Sequence, residues 1–145
     1  MKNYIEEASR TCAGDSAIFN EFIDRRDYDR VMQGFAAASA AAEKMKKQIF
    51  YGRDISRIKS INPLVIEDRE DLHANMGIMG EASELVDANT REEVLLEGGD
   101  LLWYIAKKFK NYGITFEEAM EANIEKLKQR YPDRFTHDRA NNRVA

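Results

Sequence analysis

Only two of the 145 residues are proline, Pro63 and Pro132. A chain so short of helix breakers, rich in Ala, Glu, Lys and Met and poor in β-branched alternation, is confined to helices and the layers that helices can build. The apolar pattern agrees. Val31, Phe35, Ala38, Ala42, Met45 and Ile49 follow steps of four and three, which is one stripe of a helix over about 27–51. Within it "AAASAAA" makes the helix thin enough to approach a neighbour closely, and Gly52 is a stop. Lys44, Lys46 and Lys47 fall near the C-terminal end, where positive charge suits the helix dipole.

Further helices are expected over about 68–88, 90–112 and 115–131. Asn89 or Thr90 caps the second of these and Gly113 ends it; Thr115 and Glu118 form a capping box for the third. Two shorter helices are expected ahead of them, one over about Asn3 to Cys12 and one from Gly14-Asp15 through Phe22. The stretch from Arg53 to Asp71 reads mostly as connection, and 136–145 as a polar, frayed tail. The expected fold is all-α: one domain over 1–145, an antiparallel helical bundle with a four-helix core and extra N-terminal helices.

Acids outnumber Lys and Arg by 26 to 22, for a net charge of -4. With no basic excess to neutralise a phosphate backbone, nucleic acid is excluded as the main partner. A small anion remains open, given local lysines or metal ions. Cys12 is the only cysteine, so no intramolecular disulfide and no cysteine zinc site can form; it is expected to be a half-buried small residue. No apolar run nears the roughly 20 residues that span a bilayer, and none resembles a signal peptide. A cytoplasmic location without membrane contact is the expectation.

The acids are patterned. On the helix beginning near Asp68, Leu72, Met76, Met79 and Val86 form the apolar face, while Glu81 and Glu84 lie one turn apart on another face, flanked by Gly77 and Gly80. On the next helix Glu93, Glu97, Asp100 and Tyr104 form a stripe, with Leu101, Leu102, Ile105 and Phe109 toward the core. Four carboxylates brought together repel unless a cation lies between them, and oxygen-only donors suit Mg²⁺ or Mn²⁺. Gly98 and Gly99, each costing a helix about 1 kcal/mol, interrupt "LLEGGDLLWYI"; Gly98 is expected on the core side, letting a facing helix close in. The alternative is a set of solvated acidic faces, since "REDLH" and "FEEAMEANIE" also hold closely spaced acids. On the last helix Asn123, Lys126 and Arg130 follow i, i+3, i+7. That face suits an anionic oxygen ligand, phosphate above all, or simply serves the helix dipole.

"GEASEL", then "EGGDLLWYIAKKF", then "EANIEKLKQRYPDRF" resemble the MazG-like all-α nucleoside triphosphate pyrophosphohydrolases. The E-x-x-E, spacer, E-x-x-D pattern reads Glu81, Glu84, twelve residues, Glu97, Asp100. The resemblance covers roughly Leu72 to Phe135 and the first dozen residues. It implies hydrolysis of nucleoside or deoxynucleoside triphosphates to the monophosphate and pyrophosphate, with Mg²⁺ (or Mn²⁺) held by Glu81, Glu84, Glu97 and Asp100. It further implies that Lys126 and Arg130 neutralise the phosphates, that Asn123 bonds sugar or phosphate, and that Tyr131 and Trp103 are base-stacking candidates. A homodimer or homotetramer is implied as well. Relatives carry a lysine-aromatic-glycine stretch between the acid pairs; here "KKQIFYGR" precedes both, so Lys46, Lys47 and Arg53 receive no role. Two other readings stand beside this one. The first is a non-catalytic helical assembly or regulatory module with a degenerate site. The second is a di-iron carboxylate bundle, which needs paired E-x-x-H motifs and finds only Glu70–His73.

Overall fold

The computed structural model describes residues 3–12, 23–53 and 65–142. The short helix expected through Phe22 and most of the connection after Arg53 lie outside them. The described residues form α1 (Tyr4–Ser9), α2 (Arg25–Tyr51), α3 (Arg69–Asp87), α4 (Arg91–Asn111), α5 (Phe116–Arg130) and α6 (His137–Asn141), with no strand among them. The fold is all-α, as composition and periodicity require. No described helix is long and apolar enough to cross a membrane.

Local chemistry sets the helix ends. Asp24 and Asp68 accept from amides of the first turns of α2 and α3. Thr90 with Glu93, and Thr115 with Glu118, form complete capping boxes on α4 and α5. Gly52 ends α2 at φ 68°, a left-handed conformation that glycine adopts without a Cβ penalty. The described part of the tail is partly helical, against the expectation of a frayed end: Thr136 accepts from the Arg139 amide and starts α6.

The chain forms two compact units, Ile23–Gly113 and Met1–Phe22 with Ile114–Ala145. In the first, α2, α3 and α4 pack as consecutive antiparallel neighbours. Asn111 donates to Asp68 at 2.7 Å, Lys108 donates to Asn75 at 2.6 Å and pairs with Asp71 at 2.7 Å, and Lys107 pairs with Glu70. Farther along, Tyr104 lies on Gly77, and Glu97 and Asp100 lie against Glu81. As α4 numbers fall, α3 numbers rise, which the short Ala88–Thr90 link demands. The same register runs between α2 and α3: Phe50 stacks on His73 at 4.3 Å, and Glu43 lies opposite Gly80.

Here the packing departs from the apolar pattern. The α2 residues buried are Ser39, Ala42 and Lys46, the narrow face of the alanine run. Val31, Phe35, Met45 and Ile49 stay exposed. This face of α2 meets the Gly80 region of α3, where an added Cβ would come within 3.0 Å of the Glu43 carboxylate. Met79, Val86 and Leu102, expected in the core, are likewise exposed, and so is Cys12. Gly98 does not admit a facing helix, because a Cβ at either Gly98 or Gly99 meets open space. The close approach is at Gly77, where a Cβ would overlap the Tyr104 ring.

In the second unit α1 packs on α5. Tyr4 donates to Asn123 Oδ1 at 3.0 Å, and Arg10 donates to the carbonyl of Asp133 at 2.6 Å and to those of Tyr131 and Pro132 at 3.4 Å.

Candidate functional site

The antiparallel register of α3 and α4 sets Glu81 across from Glu97 and Asp100. One carboxylate oxygen from each of the three lies within 4.8 Å of the others. Oxygens bound to one hard cation are separated by up to about 4–5 Å, so the trio has the reach and the donor chemistry to hold a divalent cation. Glu81 and Glu97 are half-buried and Asp100 is exposed, so the cluster opens to solvent on one side. Glu84 is exposed and is not one of the converging three; it is close enough to Glu97 to act on its charge.

Electrostatics record the crowding. Burial, then the Glu84 carboxylate, push Glu81 above the ordinary glutamate range; Asp100 and Glu43 add to this and Lys46 opposes it. Burial, then Glu84 and Asp100, raise Glu97 in the same sense. Both acids hold protons more tightly than free glutamate, as expected of partly buried carboxylates crowded together.

Behind the cluster lies an arrangement that periodicity did not reveal. Lys46 is 3% exposed. Its Nζ pairs with Glu43 Oε2 at 2.7 Å, donates to Tyr104 Oη at 3.0 Å, and lies 4.8 Å from the Tyr104 ring centre. Burial works against the ammonium, but Glu43 and Tyr104 outweigh it and hold Lys46 well above the usual lysine range. Tyr104 follows Asp100 by one helical turn, so this contact fastens α2 to the acid-bearing face of α4. The available signal was Ser39, Ala42, Lys46 at i, i+3, i+7, continuing the small face of α2 rather than its apolar one.

The other proposed contacts are placed as follows. Trp103 is 57% exposed, edge-on to Tyr104 at 4.8 Å, with the Lys107 ammonium 5.9 Å from its ring centre. In the other unit Asn123 and Arg130 are half-buried and Lys126 is exposed, on one face of α5. Tyr131 is 6% exposed and packs on Phe135. His73 is held by Phe50 and by Tyr51 Oη at 3.2 Å, while Glu70 pairs with Lys107. The one E-x-x-H motif is thus engaged away from the acid cluster, which deprives the di-iron reading of its histidine ligand.

Fold and site together define an all-α protein with an oxygen-donor acidic cluster shared by two antiparallel helices. Residues 71–135, somewhat less than half of the chain, match the family model described as the MazG nucleotide pyrophosphohydrolase domain. The match takes in α3, α4 and α5 with both acid pairs, and leaves α2 outside. No curated protein and no solved structure matches the chain.

Proposed function

We propose that the chain hydrolyses a nucleoside or deoxynucleoside triphosphate to the monophosphate and pyrophosphate, using Mg²⁺, or Mn²⁺ in its place, held by Glu81, Glu97 and Asp100. The observation that supports this is the convergence of those three carboxylates within a segment that matches the pyrophosphohydrolase family model. When bound, the cation supplies Lewis acidity at the phosphate under attack. Glu84, beside the trio but outside it, takes the proton of the attacking water. The oxygen of that water bonds to the α-phosphorus, the bond from that phosphorus to its β-bridging oxygen breaks, and pyrophosphate leaves. Lys126, Arg130 and Asn123 on α5 are the candidates that the resemblance offers for phosphate and sugar contacts. Exposed Trp103, rather than buried Tyr131, offers a ring face to the base.

The protein acts as a homo-oligomer in this reading. Val31, Phe35, Met45 and Ile49 present an apolar stripe of α2 that its own unit leaves uncovered, and a second copy of the chain covers it.

The test is pyrophosphate release from a panel of nucleoside and deoxynucleoside triphosphates with Mg²⁺ or Mn²⁺. Glu97→Gln lowers turnover by about a hundredfold or more and leaves helical circular dichroism unchanged. A folded wild type that releases no pyrophosphate from any substrate favours the non-catalytic module; full activity in Glu97→Gln removes the acid cluster from the chemistry.

A further inference from the structure

A groove of about 510 Å³ runs between α2 and α3. Its walls carry Ser39, Lys44, Lys47 and Arg53 together with the acids Glu43, Glu84 and Asp87, over a floor kept low by small residues of both helices. The α2 wall lies outside the segment that matches the family.

Three observations on that wall point to a ligand. Ser39 is 3% exposed, and its Oγ has no hydrogen-bond partner among the described residues. A buried hydroxyl left so is destabilising, and a ligand atom that bonds it removes that cost. Lys44 and Arg53 make no ion pair among the described residues, and Lys47 shares Glu43 with Lys46. The left-handed turn at Gly52 is what returns Arg53 to the groove. Third, Lys46 neutralises Glu43 from beneath, so the three outer cations face the groove with little opposing charge from their own helix. A helix C-terminus attracts lysines on any face; that preference does not account for a buried, unpartnered hydroxyl along the same wall. Glu84 belongs to both the groove and the neighbourhood of Glu97, so the groove opens at the acid cluster. Ammonium, guanidinium and hydroxyl donors together select non-bridging phosphate oxygens.

We propose that the α2–α3 groove seats the pyrophosphate end of the nucleotide. Lys44, Lys47 and Arg53 contact the terminal phosphates and Ser39 Oγ donates to a phosphate oxygen. This rests on the reading of the acid cluster as the place of triphosphate cleavage.

The experiment is calorimetric titration of the full chain with magnesium pyrophosphate, and separately with Mn²⁺ alone. Wild type binds pyrophosphate. Lys47→Gln combined with Arg53→Gln weakens it by about tenfold or more and leaves Mn²⁺ binding unchanged. Ser39→Ala weakens pyrophosphate binding while its melting temperature holds or rises, because an unpaired buried hydroxyl has been removed. A double variant that binds pyrophosphate like wild type overturns the proposal, as does a wild type that binds none. Parallel loss of Mn²⁺ binding moves the effect to the acid cluster and overturns it too. Turnover separates the two readings. If wild type hydrolyses triphosphates but the groove variants bind pyrophosphate normally, the groove fails and the hydrolase stands. If wild type hydrolyses nothing yet the variants lose pyrophosphate, the groove stands and the hydrolase falls.

Discussion

Gly77 and the Gly98-Gly99 pair are the same residue type in the same helical conformation, and the structure assigns them opposite consequences. A methyl group at Gly77 overlaps the Tyr104 ring, so Gly77→Ala displaces the ring that anchors Lys46 and costs about 1–3 kcal/mol by overpacking. Gly98→Ala and Gly99→Ala meet open space and each gain about 0.5–1 kcal/mol of helix stability. Chemical denaturation of the three variants checks the contrast; a destabilised Gly98→Ala would mean that something does pack there. The acids make a second prediction at this scale. Glu81 and Glu97 have folded-state pKa values above the unfolded one. Their effect on the metal-free protein is therefore to lower stability as pH rises from the ordinary glutamate pKa through the raised one. At pH 7 the metal-free protein carries that full penalty, so Glu81→Gln raises its melting temperature. Mn²⁺ raises the wild-type melting temperature at pH 7 and loses this effect near pH 4. Glu81→Gln responds little to Mn²⁺, and an undiminished response would place the cation elsewhere.

The helices owe their boundaries to end chemistry more than to their interiors. Glu93 and Glu118 close the capping boxes of α4 and α5, and amide hydrogen bonds from Asn89 and Thr90, and from Thr115, hold the two carboxyls below the ordinary range. The sign is opposite to that of the cluster acids. Their contribution is complete above the unfolded pKa and is lost as pH falls through the lowered folded value. Both helix starts consequently fray in acid, below about pH 4.5. Amide exchange at Glu93 and Glu118 followed against pH checks this, and Glu93→Gln flattens the profile for α4 alone. Such caps are local, a few residues long, so the Thr115–Glu118 box and a start of α4 at Asn89 or Thr90 were legible in the sequence, as were the stop at Gly52 and the acid spacing on α3 and α4; Glu93 was read only as a member of the acid stripe. What escaped was which face of α2 turns inward. Periodicity finds the most apolar stripe, but burial followed the face with the least bulk, and Lys46 went in with it because Glu43 and Tyr104 were there to receive its charge. Gly77 was missed as the close-approach site for the same reason, since its role depends on a ring from another helix.

At the scale of the molecule, the described apolar residues that reach burial are few: Ala42, Ala74, Met76, Tyr104 and Tyr131. Against them stand Val31, Phe35, Met45 and Ile49 on α2, and Val94, Leu95 and Leu96 near the start of α4, all exposed. Fully burying one such side chain is worth about 1.5–3 kcal/mol, so a stripe of four on each of two copies supplies ample drive for association once their small-residue faces are already engaged with α3. The two faces of α2 thus differ: the narrow one shapes the groove and holds Lys46, and the broad one leaves an apolar stripe that its own unit does not cover. Light scattering on the eluted protein is expected to give a mass that is a multiple of 16.7 kDa. Phe35→Glu combined with Met45→Glu places two carboxylates in the stripe without touching Ser39, Ala42 or Lys46, and converts the protein to a single copy with its helicity retained. The same double variant removes the rise of melting temperature with protein concentration that an associating chain must show. A wild type that elutes as one copy at every concentration would leave the stripe without its second chain.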